Sequence, residues 1–320
     1  MKKLFALVVI FLILLLVARG FWNSQLSPVS KDMIEKRIVI EKGKGVKDIA
    51  ILLKKENLIR SELIFSLYTR QQGLSSKLTA GTFNLSSSMS TNEIVRILSG
   101  KPSETWVTLI EGWRVEEMAE KLNKELGPKA GGEEFLKAAK EGYMFPDTYL
   151  LGHDVTANQV ARRLRDTFED RFSDDLKKKI KLQGLIEDEA VILASIVERE
   201  ARSDKARTDV ASILLKRFKI GMGLNADATL QYALGYQEAG KSWWKRHLTK
   251  EDKKVDSPYN TYLYRGLPPK PICNPGLLSL QAVANANSNT PYLYYYHDSK
   301  GNSHYAKTLE EHNTNVANNP

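Results

Sequence analysis

Two glutamates, Glu198 and Glu200, stand in the otherwise apolar stretch "ILASIVEREAR", residues 192–202. Two carboxyl groups close together in a sequence suggest acid/base chemistry, in which one group donates a proton and another accepts one. In an α-helix, however, each residue advances by about 100°. Residues two apart then point about 200° away from each other, so these two carboxyl groups are not expected to share a site through one helix face.

Of the two, Glu200 has the more unusual position. It follows Leu193, Ile196 and Val197 by seven, four and three residues, so it continues the apolar stripe of its own helix. Glu198 lies on the opposite face. Burial among aliphatic side chains raises the pKa of a carboxyl group, which would keep Glu200 protonated near neutral pH, as a general acid requires. The alternative is a fraying helix end, at which Glu200 simply meets solvent.

The glutamate-bearing helix is predicted to span residues 188–203. A charged helical region from 155 to 186 precedes it, and a helix over 209–220 follows it. Nearer the N-terminus, residues 37–100 predict a compact module: a strand, a helix, a second helix over 63–70, a second strand, and a helix capped by Ser90 or Thr91. The pattern of strand, turn and helix starts again after residue 103. The sequence therefore predicts an α+β fold.

The last third of the chain contains the loop "SPYNTYLYRGLPPKPICNPG", residues 257–276, followed by the strand "PYLYYYHD". Long irregular loops in compact domains are usually functional. Tyr259, Asn260, Thr261 and Tyr262 offer flat apolar faces together with amide and hydroxyl groups, which a sugar ring requires. Asn260 is the first candidate for a direct contact. The alternative is a rigid loop that serves only to hold a shape.

The N-terminus predicts contact with a membrane. Lys2 and Lys3 precede an unbroken apolar run from Leu4 to Ala18, which fits a secretory signal peptide or a single anchor helix. The end of the run, at residues 16–18, makes a poor cleavage site, so we expect an uncleaved transmembrane anchor over 1–22. The two lysines would keep the N-terminus in the cytoplasm and place residues 23–320 outside. With a net charge of +9, anionic lipids or acidic envelope polymers are expected partners, and nucleic acid is not.

Other residues that could carry chemistry form no recognisable set. His297, His304 and His312 match no metal-binding spacing, so neither a metal nor another cofactor is expected. Trp243 and Trp244, in a basic segment, could stack on sugars or enter a membrane interface, or they could be half-buried residues of a solvated insertion.

Five segments carry a resemblance to a known family. In order they are "EGYMFPDTY", "ASIVERE", "DATLQYALG", the loop at 257–276, and "YLYYYHDSKGNSHYAKTLEEHN". Together with the anchor, they resemble the MltG/YceG-like endolytic murein transglycosylases across nearly the whole chain. Three features depart from the family pattern: Ala228 stands where proline is usual, Lys270 stands where glycine is usual, and the stretch "QAVANANSN", residues 281–289, lacks a proline that is common there.

The resemblance implies cleavage of MurNAc-β-1,4-GlcNAc bonds inside nascent peptidoglycan strands, with the muramyl C6 hydroxyl as nucleophile and a 1,6-anhydroMurNAc end as product. A single carboxyl group then suffices, whereas hydrolytic glycosidases ordinarily need two. The family motif and the helix-face argument both select Glu200 as the catalytic residue, and Glu198 is expected to be a supporting acceptor. Carried over with the motifs, the expected substrate-binding residues are Asp227, Thr229, Gln231, Tyr259, Asn260, Thr261, Tyr262 and Asn274.

The composition of the chain and the resemblance together predict how the chain is organised. We expect an anchor over 1–22, a linker over 23–36, a LysM-like subdomain over 37–100, a connecting α+β region over 101–160, and a larger mixed α/β catalytic domain over 161–320. The expected location is the bacterial cytoplasmic membrane, crossed once, with the catalytic domain outside. Expected partners are glycan strands and the membrane, with peptidoglycan synthases or division proteins as further candidates. A hydrolytic muramidase and a non-catalytic glycan-binding or division protein remain as alternatives.

Overall fold

The structure, a computed structural model, describes residues 2–201 and 203–319. It confirms a mixed α+β fold that begins with an apolar helix. The chain divides into two compact units, Met1–Val107 with Tyr149–His153, and Thr108–Thr148 with Asp154–Pro320. The predicted domain boundaries, with the linker at 23–36 and the connecting region at 101–160, stay predictions.

The first helix, α1, spans Lys2–Leu26 and therefore continues past Trp22 into the segment expected to be a linker. Its end is tied by the Ser27 hydroxyl, which donates to the Asn23 carbonyl at 2.9 Å. The 18 residues Val9–Leu26 have a mean hydropathy of 1.7, and by length and composition they could cross a membrane. A secretory signal sequence meets the same criterion, so the choice between anchor and signal peptide stays as the sequence left it.

The remainder of the first unit is built around a four-stranded sheet in the order β1-β2-β3-β4. Its elements are β1 (Lys36–Ile40), α2 (Val46–Lys55), α3 (Glu62–Gln71), β2 (Gly81–Leu85), α4 (Thr91–Leu98), β3 (Glu104–Thr108) and β4 (Thr148–Gly152). Strands β1 and β2 are antiparallel, with Ile38 opposite Phe83, and both side chains are buried with Leu53 and Phe65. Of the two residues expected to cap α4, Ser90 is the cap, because its hydroxyl accepts the Glu93 N–H.

The second unit is mainly helical. Its α-helices are α5 (Val115–Leu126), α6 (Pro128–Gly131), α7 (Glu133–Ala138), α8 (Ala157–Arg171), α9 (Asp174–Leu182), α10 (Glu187–Glu200), α11 (Asp204–Lys219), α12 (Asp227–Leu234), α13 (Leu277–Ala284) and α14 (Leu309–Asn318), and two short 3-10 helices span Glu238–Gly240 and Asp252–Lys254. Strands β5 (Tyr294–His297) and β6 (Ser303–Ala306) form an antiparallel hairpin before α14. Helix α10 is central, and it packs against α11 and α13.

Two predicted helix boundaries are wrong. The glutamate-bearing helix α10 ends at Glu200, not at 203, because Ala201 adopts an extended conformation with φ −87° and ψ 135°. The next helix, α11, starts at Asp204, not at 209. The Ser203 side chain caps this earlier start by accepting the Ala206 N–H. Glu200 is thereby the last residue of a buried helix.

Candidate active site

Glu200 joins three elements of the second unit. From the end of α10, its Oε1 accepts the backbone N–H of Ala228 at 3.2 Å, and its Oε2 accepts the hydroxyl of Tyr295, on β5, at 3.1 Å. Ala228 lies in the first turn of α12, where N–H groups have no partner inside the helix and the helix dipole is positive. A proline at this position would lack that N–H. The carboxyl group of Glu200 is therefore held at both oxygens.

The surroundings of Glu200 raise its pKa above the ordinary value of a glutamate. Burial is the largest cause, since it disfavours the charged carboxylate, and the negative charge of Asp227 acts in the same direction. The Ala228 N–H, the Tyr295 hydroxyl and Arg199 lower the pKa, but they do not outweigh burial. The carboxyl group thus keeps its proton to a higher pH than an exposed glutamate does, as a general acid requires.

Glu200 opens onto a cleft of about 540 Å³, lined by residues of α10, α11, α12, β5 and α14 and by parts of the loops that precede α12 and α13. Of the expected site residues, the cleft brings together Glu200, Asp227, Gln231 and Tyr262. The Tyr262 hydroxyl donates to Asp227 Oδ1 at 2.6 Å, and Gln231 Nε2 donates to the Lys245 carbonyl at 2.8 Å. The cleft therefore combines one acidic group with polar and aromatic side chains that suit a carbohydrate.

Thr229 and Thr261 lie behind the cleft wall and are buried. Their hydroxyl oxygens are 2.8 Å apart, and the Thr261 hydroxyl also accepts the Ala226 N–H at 3.0 Å. These bonds fasten the start of α12 to the loop at 257–276. The packing favours a scaffolding role, and the substrate contacts expected of both residues stay predictions.

Asn260 is completely buried. Its Nδ2 donates to the carbonyls of Lys253 and Val255 at 3.1 and 2.8 Å, and its Oδ1 accepts the Tyr262 N–H at 3.1 Å. All of these partners are backbone groups of its own segment. The structure therefore favours the alternative of a loop held in shape by Asn260, which presents Tyr262 to the cleft.

We accordingly expect Asn260→Ala to destabilise the protein by about 2–3 kcal/mol, because backbone groups lose their partners in a buried position. Catalytic turnover should fall as well, since Tyr262 would no longer be fixed. Thermal unfolding and turnover of the same preparation measure the two effects. Unchanged unfolding combined with lost turnover would instead support a direct contact between Asn260 and substrate.

Tyr259 and Asn274 lie outside the set of described residues that line the cleft. The Tyr259 ring packs on Tyr232 with centroids 4.7 Å apart. Asn274 is completely buried, and both atoms of its amide are hydrogen-bonded within the unit. As with Asn260, this packing favours scaffold roles, and substrate contacts at these two positions stay predictions.

Glu198 faces a different set of groups from Glu200. Its Oε2 accepts the Gly276 N–H at 2.9 Å, at the start of α13, and its Oε1 lies 3.4 Å from Nη2 of Arg207. The Glu198 side chain is 6% exposed. The two carboxyl groups share no hydrogen-bond partner among the described residues. This geometry suits the expected supporting acceptor, whose role stays a prediction.

The tandem tryptophans pack within the second unit. The indole N–H groups of Trp243 and Trp244 donate to Glu120 and Glu117, each at 2.9 Å. The guanidinium of Arg114 lies 4.8 Å from the Trp243 ring centroid. Both side chains are partly buried, which favours the half-buried alternative over sugar stacking or membrane contact.

The histidines near the C-terminus have separate environments. His304 Nε2 lies 3.0 Å from Asp298 Oδ2, and the His312 ring stacks on Tyr294 with centroids 5.5 Å apart. Within the part of the chain that the structure describes, no three His, Cys, Asp or Glu side chains are grouped to hold a metal. The expectation of a metal-independent protein stays a prediction.

Sequence reasoning missed several residues that line the cleft, among them Arg217 and Tyr295. Arg217 follows Val210, Ile213 and Leu214 by seven, four and three residues, which is the spacing that singled out Glu200. The same test applied to α11 would therefore have found it. Tyr295 gives no comparable signal, because its contact with Glu200 joins residues 95 apart in the chain.

Comparison with known proteins adds an independent finding. A sequence model of the YceG-like family matches residues 38–318. The endolytic murein transglycosylase of Bacillus subtilis strain 168 is 30% identical over 328 residues, which cover 92% of this chain and 87% of that protein. The endolytic murein transglycosylases of Streptococcus pneumoniae strains D39 and R6 are 27% identical over 98% of this chain, which spans 65% of their length.

A solved structure is also similar. The crystal structure of a yceG-like protein from Listeria monocytogenes superposes with a TM-score of 0.58 at 29% identity. The match covers 88% of this chain and 98% of the Listeria chain. These matches confirm the resemblance carried by the sequence motifs.

Proposed function

Because the chain belongs to the YceG-like family, we propose that it acts as an endolytic murein transglycosylase in which Glu200 is the single catalytic acid and base. The observation that carries the proposal is the Glu200 carboxyl group, held at both oxygens beside a polar and aromatic cleft, with a pKa raised by burial. The names of the relatives in Bacillus and Streptococcus support the same activity.

The proposed reaction moves one proton out and one proton back. Glu200 protonates the oxygen of the MurNAc-β-1,4-GlcNAc bond while the C1–O bond breaks. The C6 hydroxyl of the same MurNAc attacks C1, and its proton passes to the Glu200 carboxylate, which restores the acid. The nucleophile is tethered to the reacting carbon, which gives it a large advantage in effective concentration over water.

Ala228 and Tyr295 have a defined task in this scheme. Hydrogen bonds that donate to a carboxylate stabilise its charged form. The Ala228 N–H and the Tyr295 hydroxyl each donate to one oxygen of Glu200, so they support the carboxylate during the interval in which its proton is on the departing sugar. They also fix the direction in which the proton is delivered.

A hydrolytic muramidase is the second candidate, and one observation favours it. Asp227 lines the same cleft as Glu200, and hydrolytic glycosidases use a second carboxylate as nucleophile or as base for water. Asp227 accepts the Tyr262 hydroxyl, an interaction that would orient it in either scheme. The products distinguish the two reactions.

The test is the mass of the fragments released when the purified full-length protein digests murein strands. Anhydro ends are one water lighter than reducing ends, and they are the expected product. Fragments with reducing ends would replace the proposal by hydrolysis. No cleavage of strands that a known muramidase does cut would leave a glycan-binding role.

We further propose that α1 anchors the protein in the cytoplasmic membrane, with residues 23–320 outside the cytoplasm. The length and hydropathy of Val9–Leu26 and the basic Lys2 and Lys3 support this orientation. An alkaline phosphatase fusion after residue 40 should be active in cells, and an inactive fusion would contradict the proposal. Peptidoglycan synthases or division proteins remain candidate partners, and a crosslinking experiment in cells that captures none would argue against them.

The LysM-like character of residues 37–100 is likewise a proposal. The order β1, α2, α3, β2 and the buried apolar face that these elements share support it. An experimental structure of this segment with a different element order would contradict it.

A further inference from the structure

Arg217 is a buried cation in the wall of the cleft. It is 6% exposed and occupies the apolar face of α11. Its Nε donates to the Leu293 carbonyl at 2.6 Å and its Nη1 to the Leu224 carbonyl at 2.7 Å, while its Cζ lies 5.1 Å from the Tyr294 ring centroid. These contacts hold the guanidinium group in a fixed orientation at the cleft surface.

The positive charge of Arg217 is not neutralised by an ion pair. Among the described residues, no carboxylate oxygen lies within 4.0 Å of its guanidinium nitrogens, and its Nη2 has no hydrogen-bond partner. Burial lowers the pKa of Arg217, which reflects the cost of removing its charge from water. A buried guanidinium that is fixed, charged and open on one side is suited to bind an anion with the fork geometry of arginine.

Lys253 adds a second cation to the same cleft. Its Nζ lies 4.2 Å from the ring centroid of Tyr262, the tyrosine that contacts Asp227. The next residue, Lys254, differs in both respects, because its side chain is 70% exposed and pairs with Glu251 at 2.9 Å. Lys253 is thus part of the cleft wall, and Lys254 belongs to the outer surface.

The charges lining the cleft sum to an excess of positive charge. The lining includes three cationic side chains, those of Arg199, Arg217 and Lys253, and two carboxyl groups, those of Glu200 and Asp227. The raised pKa of Glu200 favours its uncharged form. In a strand whose MurNAc residues carry peptides, the lactyl carboxyl group of MurNAc is used in the amide bond to the peptide, so the glycan backbone of that strand has no charge that would require such a wall. The anionic groups of murein are the carboxylates of the peptides attached to its MurNAc residues.

We propose that Arg217 and Lys253 form a binding site for a peptide carboxylate of the murein strand. The inference rests on the proposed function and adds a substrate class to it: strands that carry peptides with free carboxylates. A charge-assisted hydrogen bond is the strong kind, and the loss of one is expected to weaken binding by about tenfold or more. The chain therefore selects such strands through KM.

The experiment uses the full-length protein in detergent and two preparations of the same peptide-bearing murein strands, one untreated and one with its carboxylates converted to amides. For the unaltered protein, KM is expected to be about tenfold higher on the amidated strands, with kcat nearly unchanged.

Lys253→Gln should raise KM on untreated strands and remove most of the difference in KM between the two preparations. Lys254→Gln, the matched control, should behave as the unaltered protein does. Arg217→Lys keeps a positive charge but loses the paired N–H donors of the guanidinium group. In the folded variant, the difference in KM between amidated and untreated strands should be smaller.

Equal KM values of the unaltered protein on the two preparations would overturn the carboxylate site, while anhydro products on both would leave the transglycosylase proposal intact. An equal effect of Lys253→Gln and Lys254→Gln would also overturn it, since this would indicate a general effect of surface charge. Cleavage of neither preparation would overturn both proposals.

Discussion

Glu200→Gln is expected to abolish strand cleavage, with a rate loss of at least about 10²- to 10⁴-fold, because one group performs both proton transfers. The amide preserves the local geometry. Its oxygen can still accept the Ala228 N–H, and its nitrogen can donate to the hydroxyl oxygen of Tyr295. The variant lacks the acidic proton and the basic oxygen that the reaction needs. Release of anhydro-ended fragments with time, followed by mass spectrometry, measures the loss.

The same variant should be as stable as the unaltered protein or slightly more stable. The pKa of Glu200 is raised above 4.5 in the folded state, so its contribution to stability is present below that pH and is lost as pH rises through the folded pKa. Glutamine does not titrate and suffers no such loss. Thermal unfolding compared at about pH 4 and about pH 8 should therefore show the variant gaining relative to the unaltered protein at the higher pH.

Glu198→Gln is the matched control, because it changes the same atoms two residues earlier on the same helix. It removes the negative charge of Glu198 from Arg207, whose side chain is 12% exposed and would keep its ion pair with Asp204, a side chain that is 77% exposed. We expect Glu198→Gln to lose stability, and to lose less activity than Glu200→Gln does. A dead Glu198→Gln together with a nearly normal Glu200→Gln would show that the catalytic assignment is wrong.

The sequence singles out Glu200 through an apolar stripe on α10, whereas the structure gives a different reason for its unusual position. A single apolar stripe on α10 made Glu200 unusual, but every residue from Ala190 to Val197 is buried, so the helix has no solvent-facing side there. Glu200 is distinguished by its place at the helix end, next to α12 and β5. Its partners lie 28 and 95 residues away in the chain, and local periodicity carries no information about such distant contacts.

The asparagines of the loop show a second limit on what can be predicted from the sequence. An amide that contacts a sugar and an amide that satisfies buried backbone groups require the same residue type, so the loop sequence alone does not separate the two roles. Burial separates them, and Asn260 and Asn274 are both completely buried. The order of helices and strands is easier to predict, because the hydrophobic periodicity of each element and the Ser90 cap depend only on neighbouring residues.

Asn274 joins two segments that are far apart in the chain. Its Oδ1 accepts the N–H groups of Gly142 and Met144, each at 2.9 Å, and its Nδ2 donates to the carbonyl of Trp113 at 3.0 Å and to Glu141 at 2.8 Å. Gly142 has φ +89°, and a Cβ there would lie 2.4 Å from Pro271, so glycine is required for this close approach. The motif "EGYMFPDTY" is thereby tied to the loop at 257–276.

Asn274→Ala is expected to lower the free energy of unfolding by about 3–5 kcal/mol, since each unsatisfied buried group costs about 1–3 kcal/mol. The unpaired groups would be the N–H groups of Gly142 and Met144. Burial raises the pKa of Glu141 to about 8, so this carboxyl group is mostly protonated at neutral pH and the variant leaves no full charge unpaired there. Chemical or thermal unfolding of the full-length protein in detergent measures the change.

Asn285→Ala is the control for this prediction, because Asn285 is exposed and, among the described residues, its amide bonds only to the Gln281 carbonyl one turn earlier. Its effect should stay within about 0.5 kcal/mol. If Asn274→Ala were equally mild but cut strands poorly, Asn274 would act on substrate and the anchoring role would be wrong. If it is strongly destabilising, loss of activity should follow from loosening of the loop, because the segment that Asn274 anchors also presents Tyr262 to the cleft beside Glu200.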